Sequence, residues 1–300
     1  MALTTLVQFE PITIADADWA IPALEKAALP QCEHSFVTVY MWRKRYGHKI
    51  ARVDDRALVL AEYDGVLSFL FPMSEHWRED VKRLRDYAHA NGHPLCLYGI
   101  PLAMQAEVAA AFPDTFDFSV DLGDADYIYR QEDLALLLGK QYQKKRNHIS
   151  AFTRKYNWHY ETLTDDNAAA VLALSEEWYA MQTPLSPELQ AEKDAIPELL
   201  QYRERLGVRG GILFVEDKPV GFALATRLCA DTANVHIEKA LTDYNGAYAM
   251  IHQQFVQQEL SDVAFVNREN DMGLEGLRKA KRSYAPYRLE EKVYAEEIRG

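Results

Sequence analysis

The second half of the chain sets out strand-like and helix-like segments in an order that a layered α/β architecture can bury. WHYETLT is a strand, and Val171, Leu174, Trp178 and Met181 recur every three or four residues, marking a helix from about Asp166 to Met181. A second helix runs from Pro187 to Leu206, with a kink or break expected at Pro197 and an end at Gly207 to Gly211. GILFVEDKPVGFALATRL is a hairpin turning at Asp217 to Pro219, and TANVHIEKAL is a third strand. The loop TDYNG, a helix through AYAMIHQQFVQQEL, the strand VAFVN, a charged helix stopped by Pro286 and a final strand YRLEEKVYA complete the half.

A similar order runs through the first half. FEPITI is followed by helical ADWAIPALEKAAL and VTVYMWRKRY, strands KIARVD, ALVLAEYD and VLSFLF, helix REDVKRLRDYAHANG, strand PLCLYG, helix LAMQAEVAAAF and strand FDFSVD. This is a repeat of topology without sequence identity, and two unrelated α/β domains are the alternative. The boundaries expected are 1–130 for one domain, 131–156 for a basic connecting helix and 157–300 for the other, which is expected to carry the chemistry.

Charge excludes some partners. Forty-five acids against thirty-three bases give a net charge of -12, so the chain repels polyanions in general, and a phosphate-bearing partner must meet a local basic patch. Cys32, Cys96 and Cys229 are widely spaced and form no CxxC pair, which argues against a disulfide framework or a cysteine zinc site and points to a reducing compartment. MALTTLVQFEPITIADADW shows no basic, apolar export signal. The most apolar stretch, residues 57 to 73, is interrupted by Glu62 and Asp64 and falls short of about 18 apolar residues, so no membrane span is expected and the location read is cytoplasmic.

YIYRQEDLALLLGKQYQKKRNHISAF, VHIEKALTDYNGAY and FVNRENDMGLEGLRKAKRSYAP resemble the C-terminal domain of phosphatidylglycerol lysyltransferase, in a branch of short relatives, and HSFVTVYMWRKRY fits the same branch. The resemblance covers essentially the whole chain. It implies an α/β (α+β) protein with two tandem acetyltransferase-like domains of the GCN5-related fold in a Fem-type duplicated arrangement, each a mixed, mostly antiparallel sheet flanked by helices. It also implies transfer of an acyl or aminoacyl group by direct attack, with no required cofactor. Acyl-coenzyme A and aminoacyl-tRNA are the rival donors. A non-catalytic module of the same duplicated fold, holding a small anionic ligand, is the alternative.

A nucleophilic amine must lose its proton before or during attack, so a carboxylate or imidazole at a strand end is the group such a transfer needs. Strict alternation along TANVHIEKAL puts His236 and Glu238 on one face, with Val235, Ile237 and Lys239 on the other. Glu238 is the first candidate base and His236 the second; the structural reading is that His236 bonds neighbouring backbone and Glu238 pairs with a cation. DYNGAY lies where the resembling fold carries its pyrophosphate loop, making Asn245, Gly246, Ala247 and Tyr248 candidate phosphate ligands, although the loop has a single glycine and carries Asp243. The matching first-half loop, PMSEHWRE, has no glycine. Arg268, Arg278 and Lys281 are candidate anion ligands, Arg278 and Lys281 sharing a helix face. Lys144 and Arg146 belong to a basic stripe suited to a phosphate-rich donor. Tyr284 falls where the resembling fold places a proton donor for the leaving group, with its hydroxyl expected near Glu238 or His236. No metal-ligand spacing such as HExxH occurs.

Overall fold

A computed structural model of the chain describes residues 6–298; residues 1–5, the start of the segment read for an export signal, lie outside the described residues. The described residues divide into two units, one running up to residue 125 and resuming from residue 290, and the other of residues 126–289.

The first unit holds strands β1 (Glu10–Pro11), β2 (Lys49–Val53), β3 (Arg56–Tyr63), β4 (Val66–Leu70), β5 (Cys96–Pro101) and β6 (Phe116–Val120), with helices α1 (Ala17–Glu25), α2 (Phe36–Trp42), α3 (Trp77–Ala90) and α4 (Gln105–Ala111). Its seventh strand, β14 (Lys292–Glu297), comes from the far end of the chain, and the sheet order is β1-β2-β3-β4-β5-β14-β6. β4 and β5 run parallel. Leu58, Leu60, Phe69, Val81, Leu84 and Leu97 are among the buried side chains that hold α3 to this sheet.

The second unit comprises β7 (Asp126–Arg130), α5 (Gln131–Leu136), α6 (Gln143–Lys155), β8 (Trp158–Thr162), α7 (Ala168–Ala180), α8 (Pro187–Gln201), α9 (Arg203–Leu206), β9 (Arg209–Val215), β10 (Lys218–Cys229), β11 (Thr232–Ala240), α10 (Ala247–Glu259), β12 (Phe265–Asn267), α11 (Glu275–Arg282) and β13 (Arg288–Glu290). The sheet order is β13-β7-β12-β11-β10-β9-β8. Only the first three residues of β11 pair with β12, in parallel, as Thr232↔Phe265, Ala233↔Val266 and Asn234↔Asn267. Beyond Asn234 the chain of β11 runs on to Ala240 while β12 ends, so the two strands part and leave a fork. α10 covers one face of this sheet through Met250, Ile251, Phe255 and Val256, each buried, and burial of such a side chain stabilises by roughly 1.5–3 kcal/mol.

Several sequence expectations are corrected by these boundaries. The stretch read as a single final strand is two: β13 closes the second sheet and β14 enters the first, while β7, read as the end of the first half, belongs to the second sheet. Strand partners are set by pairing across the chain, which local pattern does not encode. The connecting helix is also not continuous. Leu137 and Gly139 take left-handed or extended positive-φ conformations (φ 50° and 93°), ending α5 and resetting the phase before α6. Arg146 donates to the carbonyls of Leu137 and Gly139 and so caps the break. α8, by contrast, runs through Pro197 without a break.

Candidate active site

The fork collects side chains from five elements of the second unit. Glu238 projects from β11, His252 from α10, Arg268 from the residue after β12, Lys145 from α6 and Tyr284 from the turn after α11. Glu238 accepts a hydrogen bond from His252 Nδ1 at 2.7 Å through Oε2 and one from Arg268 Nη2 at 2.9 Å through Oε1. Lys145 Nζ sits 3.6 Å above the Tyr284 ring, and the Arg268 guanidinium lies 4.9 Å from the same ring. His252 packs against the other side chain of this group, its ring 4.5 Å from that of Tyr284.

These contacts fix protonation. Burial alone would raise the Glu238 carboxyl, but Arg268, His252 and Lys145 overcome it and hold it down at about 2. Burial, then the Arg268 guanidinium, lowers the His252 imidazole against the pull of Glu238. Neutral His252 facing an anionic carboxylate must carry its proton on Nδ1, so its lone pair is on Nε2. That Nε2, fully buried, has no hydrogen-bond partner among the described residues, and neither has Arg268 Nη1. Burial, and then Arg268, lowers the Lys145 ammonium to about 8. A buried polar atom without a partner is rare in a folded protein and costs about 1–3 kcal/mol, and here two belong to side chains that share the Tyr284 ring with Lys145.

His236 is not part of this group. The register of β10 and β11 slips between Leu224↔Ile237 and Ala225↔Val235, which leaves His236 as the extra residue of a β-bulge. Glu238 is opposite Ala223, whereas the partner of His236, Thr226, lies three residues further along β10 and so on the other face. Strict alternation therefore fails at His236. Its Nε2 is 2.7 Å from Thr226 Oγ1, and its Nδ1 is 3.1 Å from Asn234 Nδ2 and 3.3 Å from Glu269. Both ring nitrogens are used, and His236 serves the strand.

The charged helix is also largely committed to structure. Arg278 grips Asp271 with Nε and Nη2 at 2.9 and 3.0 Å, and Asp271 accepts further bonds from the Tyr127 hydroxyl and the Gly273 amide. Lys281 Nζ donates to the carbonyls of Arg268, Glu269 and Asn270. With Glu269 at φ 57°, these carbonyls turn toward one ammonium, so Lys281 holds the loop that presents Arg268. Of the three cations expected to bind anions, Arg268 alone brings an unused donor to the fork.

The loop before α10 is explained by packing. A Cβ on Gly246, whose φ is 95°, would lie 2.5 Å from the His148 carbonyl oxygen of α6. Ala247 is buried, Asn245 is exposed, and the Tyr248 hydroxyl accepts from Trp178 Nε1 at 2.9 Å. Along α6, Arg146 is spent on the Leu137 and Gly139 carbonyls and Lys144 is exposed, while their neighbour Lys145 faces the fork. Tyr284 is 5% exposed and packs in the core, and its hydroxyl bonds to neither Glu238 nor His236. The turn that follows Lys281, closed by the Tyr284 amide on the Lys281 carbonyl and by Ala285 at φ 48°, tucks the ring inward. Sequence reasoning missed His252 and passed over Lys145. The signal for His252 was a lone titratable residue on the apolar stripe of AYAMIHQQF; three successive cations gave no phase for Lys145.

Comparison with known proteins bears on this site. Residues 25–296 match the family described as phosphatidylglycerol lysyltransferase, C-terminal. A crystal structure of a conserved protein of unknown function from Bacteroides thetaiotaomicron is 34% identical, covers 97% of this chain and 100% of its own, and superposes with a TM-score of 0.90. The C-terminal domain of a putative lysylphosphatidylglycerol synthetase from Agrobacterium fabrum shares the fold at 13% identity, with a TM-score of 0.69 over 96% of this chain and 93% of that one. The chain spans about half the length of the curated relative it matches, an uncharacterized protein of Mycoplasmoides gallisepticum, 25% identical over 167 residues that make up 54% of this chain and 52% of that protein. Among the described residues no helix is long and apolar enough to cross a membrane. With its duplicated acyltransferase-like fold, the chain belongs to the family of phosphatidylglycerol lysyltransferase C-terminal domains.

Proposed function

We propose that the chain is an acyl- or aminoacyl-transferase with its chemistry at the fork of the second unit. The observation that carries the reading is an imidazole oriented by a carboxylate, His252 on Glu238, with the basic nitrogen Nε2 buried and unpartnered beside two cations. In an acyl transfer, the nucleophile of the acceptor attacks the donor carbonyl and must give up a proton. His252 Nε2 is the group to take it, and Glu238 stabilises the imidazolium that results, as an orienting carboxylate does in other base pairs of this kind. Arg268 Nη1 and Lys145 Nζ supply donors for the negative charge that develops on the carbonyl oxygen, or for an anionic group of the donor. Glu238 itself, held ionised at about 2, is a poor proton acceptor near neutral pH and an apt partner for a protonated ring.

Of the two donors, an aminoacyl ester of tRNA fits better than acyl-coenzyme A. Gly246 is used in packing against α6 rather than in a glycine-rich phosphate loop, and the family description names a lysyl transfer. The depth of burial of Glu238 and His252 favours a second reading, a non-catalytic module in which Arg268 and Lys145 hold a small anion. The test follows consumption of lysine-charged tRNA and of acetyl-coenzyme A, each with a panel of amines and phosphatidylglycerol vesicles as acceptors. Wild-type protein should consume the tRNA ester, and His252→Gln and Glu238→Gln should each slow consumption about 100-fold or more without loss of donor binding. Binding without consumption by the wild type would favour the module, and unchanged rates in both variants would remove the pair from the mechanism.

A further inference from the structure

Lysines that are buried in a folded protein are normally held by oxygen acceptors, because an unpaired ammonium is costly to remove from water. This chain follows the rule at Lys239, 2.6 Å from Glu192, at Lys292, 2.6 Å from Glu33, and at Lys281, ringed by three carbonyls. Lys145 breaks it. Half-buried on α6, it makes no hydrogen bond or ion pair among the described residues and rests on the face of Tyr284, with a second cation, Arg268, sharing the same ring.

We propose that Lys145 is an acyl-accepting amine: its Nζ reacts with activated acyl groups, thioesters or acyl phosphates, ahead of the protein's other lysines, and the amide formed removes one of the two cations at the fork. Nothing in this depends on the transfer reading, since an external acyl donor suffices. A lysine in weakly solvated surroundings next to a cation is the arrangement that favours the neutral, nucleophilic amine. The groups facing Lys145 are Arg268, Glu238 on β11, His252 on α10 and Tyr284, with Lys144 beside it on its own helix. Burial is the main cause that favours the free amine, Arg268 and Lys144 add to it and Glu238 opposes it, which lowers the ammonium to about 8. In the reaction the Nζ lone pair forms a bond to the acyl carbon, the bond from that carbon to sulfur or to phosphate oxygen breaks, and thiolate or phosphate departs with the electron pair. The amine's surplus proton goes to solvent. The acylated side chain is neutral, so Arg268 is left as the sole cation over Tyr284 and anion binding at the fork should weaken.

The experiment exposes the wild-type chain to sub-stoichiometric acetyl phosphate, and in a parallel arm to acetyl-coenzyme A, and maps adducts by peptide fragmentation that separates Lys144 from Lys145. Lys145 should carry the earliest acetyl group. From the free-amine fraction, its rate should climb about fivefold between pH 7 and 8 and less than about twofold between pH 8 and 9, while exposed lysines climb about tenfold per unit. A saturable rate in the coenzyme A arm alone would identify a bound thioester as the source, and equal, linear rates in both arms would identify free acyl donors. Lys145→Arg should erase the leading adduct and leave the others. Acetylation of exposed Lys144 as fast as of Lys145, or a Lys145 rate rising tenfold per unit to pH 9, would overturn the proposal.

Discussion

Each unit has one pair of parallel neighbouring strands in its sheet and each holds an arginine–carboxylate pair, yet the two pairs are different objects. In the first unit Arg56 spends Nε and Nη2 on Asp80 at 2.7 and 3.1 Å and reaches Asp54 with Nη1, and Asp80 is also bonded by Arg83 at 3.0 Å. In the second, Glu238 and Arg268 bond through one oxygen and one nitrogen, and Arg268 Nη1 and His252 Nε2 are left unused. Charge density does not separate them. Nor does open space, since a cavity of about 290 Å³ lies in the first unit, lined by Leu58, Leu70, Phe71 and Met73 together with the closed Arg56–Asp80 pair. Unspent hydrogen-bonding capacity separates them, because a group already fully bonded gains nothing from a ligand it must first release.

The largest effect that would break this comparison is on stability. Asp80→Ala removes the acceptor of a side chain 13% exposed, Arg56, and should destabilise the protein by about 3–5 kcal/mol in urea unfolding, as loss of one partner of a buried pair generally does. Under conditions where the variant remains folded, donor consumption should be unchanged. A fall in turnover by the folded variant would place chemistry in the first unit as well.

A smaller effect sharpens the account of Glu238. Its folded pKa, about 2, lies below its ordinary value of 4.5, so the stability it contributes is present above pH 4.5 and lost as pH falls through 2. The carboxylate is 9% exposed, and the shift corresponds to roughly 3 kcal/mol. Urea midpoints of wild type and Glu238→Gln should therefore differ most at neutral pH and converge between about pH 4.5 and 2. His252, also lowered, adds a loss in the same direction that begins as pH falls below 6.5. A gap that stayed constant into acid would mean that Glu238 is not ionised in the folded protein.

How much of this could be read from sequence follows from which distances the chain encodes locally. The order of strands and helices, the parting of β11 from β12 and the placing of Glu238 and Arg268 at that fork depend on periodicity and chain order, and both are visible in the sequence. The side of β11 on which His236 lies is not, because one inserted residue reverses alternation and VHIEKAL carries no glycine or proline to announce it. Lys145 was hidden by the break at Leu137 to Gly139: a helix counted from residue 131 has a different phase from one that starts at Gln143. The roles of Arg278 and Lys281 depended on acceptors at Asp271 and at the carbonyls of residues 268–270, and the acceptor loop folds through left-handed positions that composition did not disclose. The exchange of β7 and β14 between sheets is a matter of long-range pairing alone.

The smallest effect concerns Tyr284, and it tests whether the fork needs that residue's ring or its hydroxyl. The ring is plainly engaged, with Lys145 at 3.6 Å, Arg268 at 4.9 Å and His252 at 4.5 Å, and a cation held over an aromatic face is worth about 0.5–2 kcal/mol. The hydroxyl makes no hydrogen bond among the described residues, and burial pushes its pKa up, so it holds its proton more tightly than a free phenol. Tyr284→Phe keeps every ring contact and should change stability by less than about 0.5 kcal/mol. A departing thiolate is stable without a proton near neutral pH, so turnover with a thioester donor should fall by less than about threefold. The hydroxyl of a tRNA ribose is a far poorer leaving group, and only there would a tightly held phenolic proton be of use. A loss of about 100-fold confined to the ester donor would return the Tyr284 hydroxyl to the mechanism as a proton donor. Equal, small losses with both donors would leave Tyr284 as the aromatic floor on which the two cations rest.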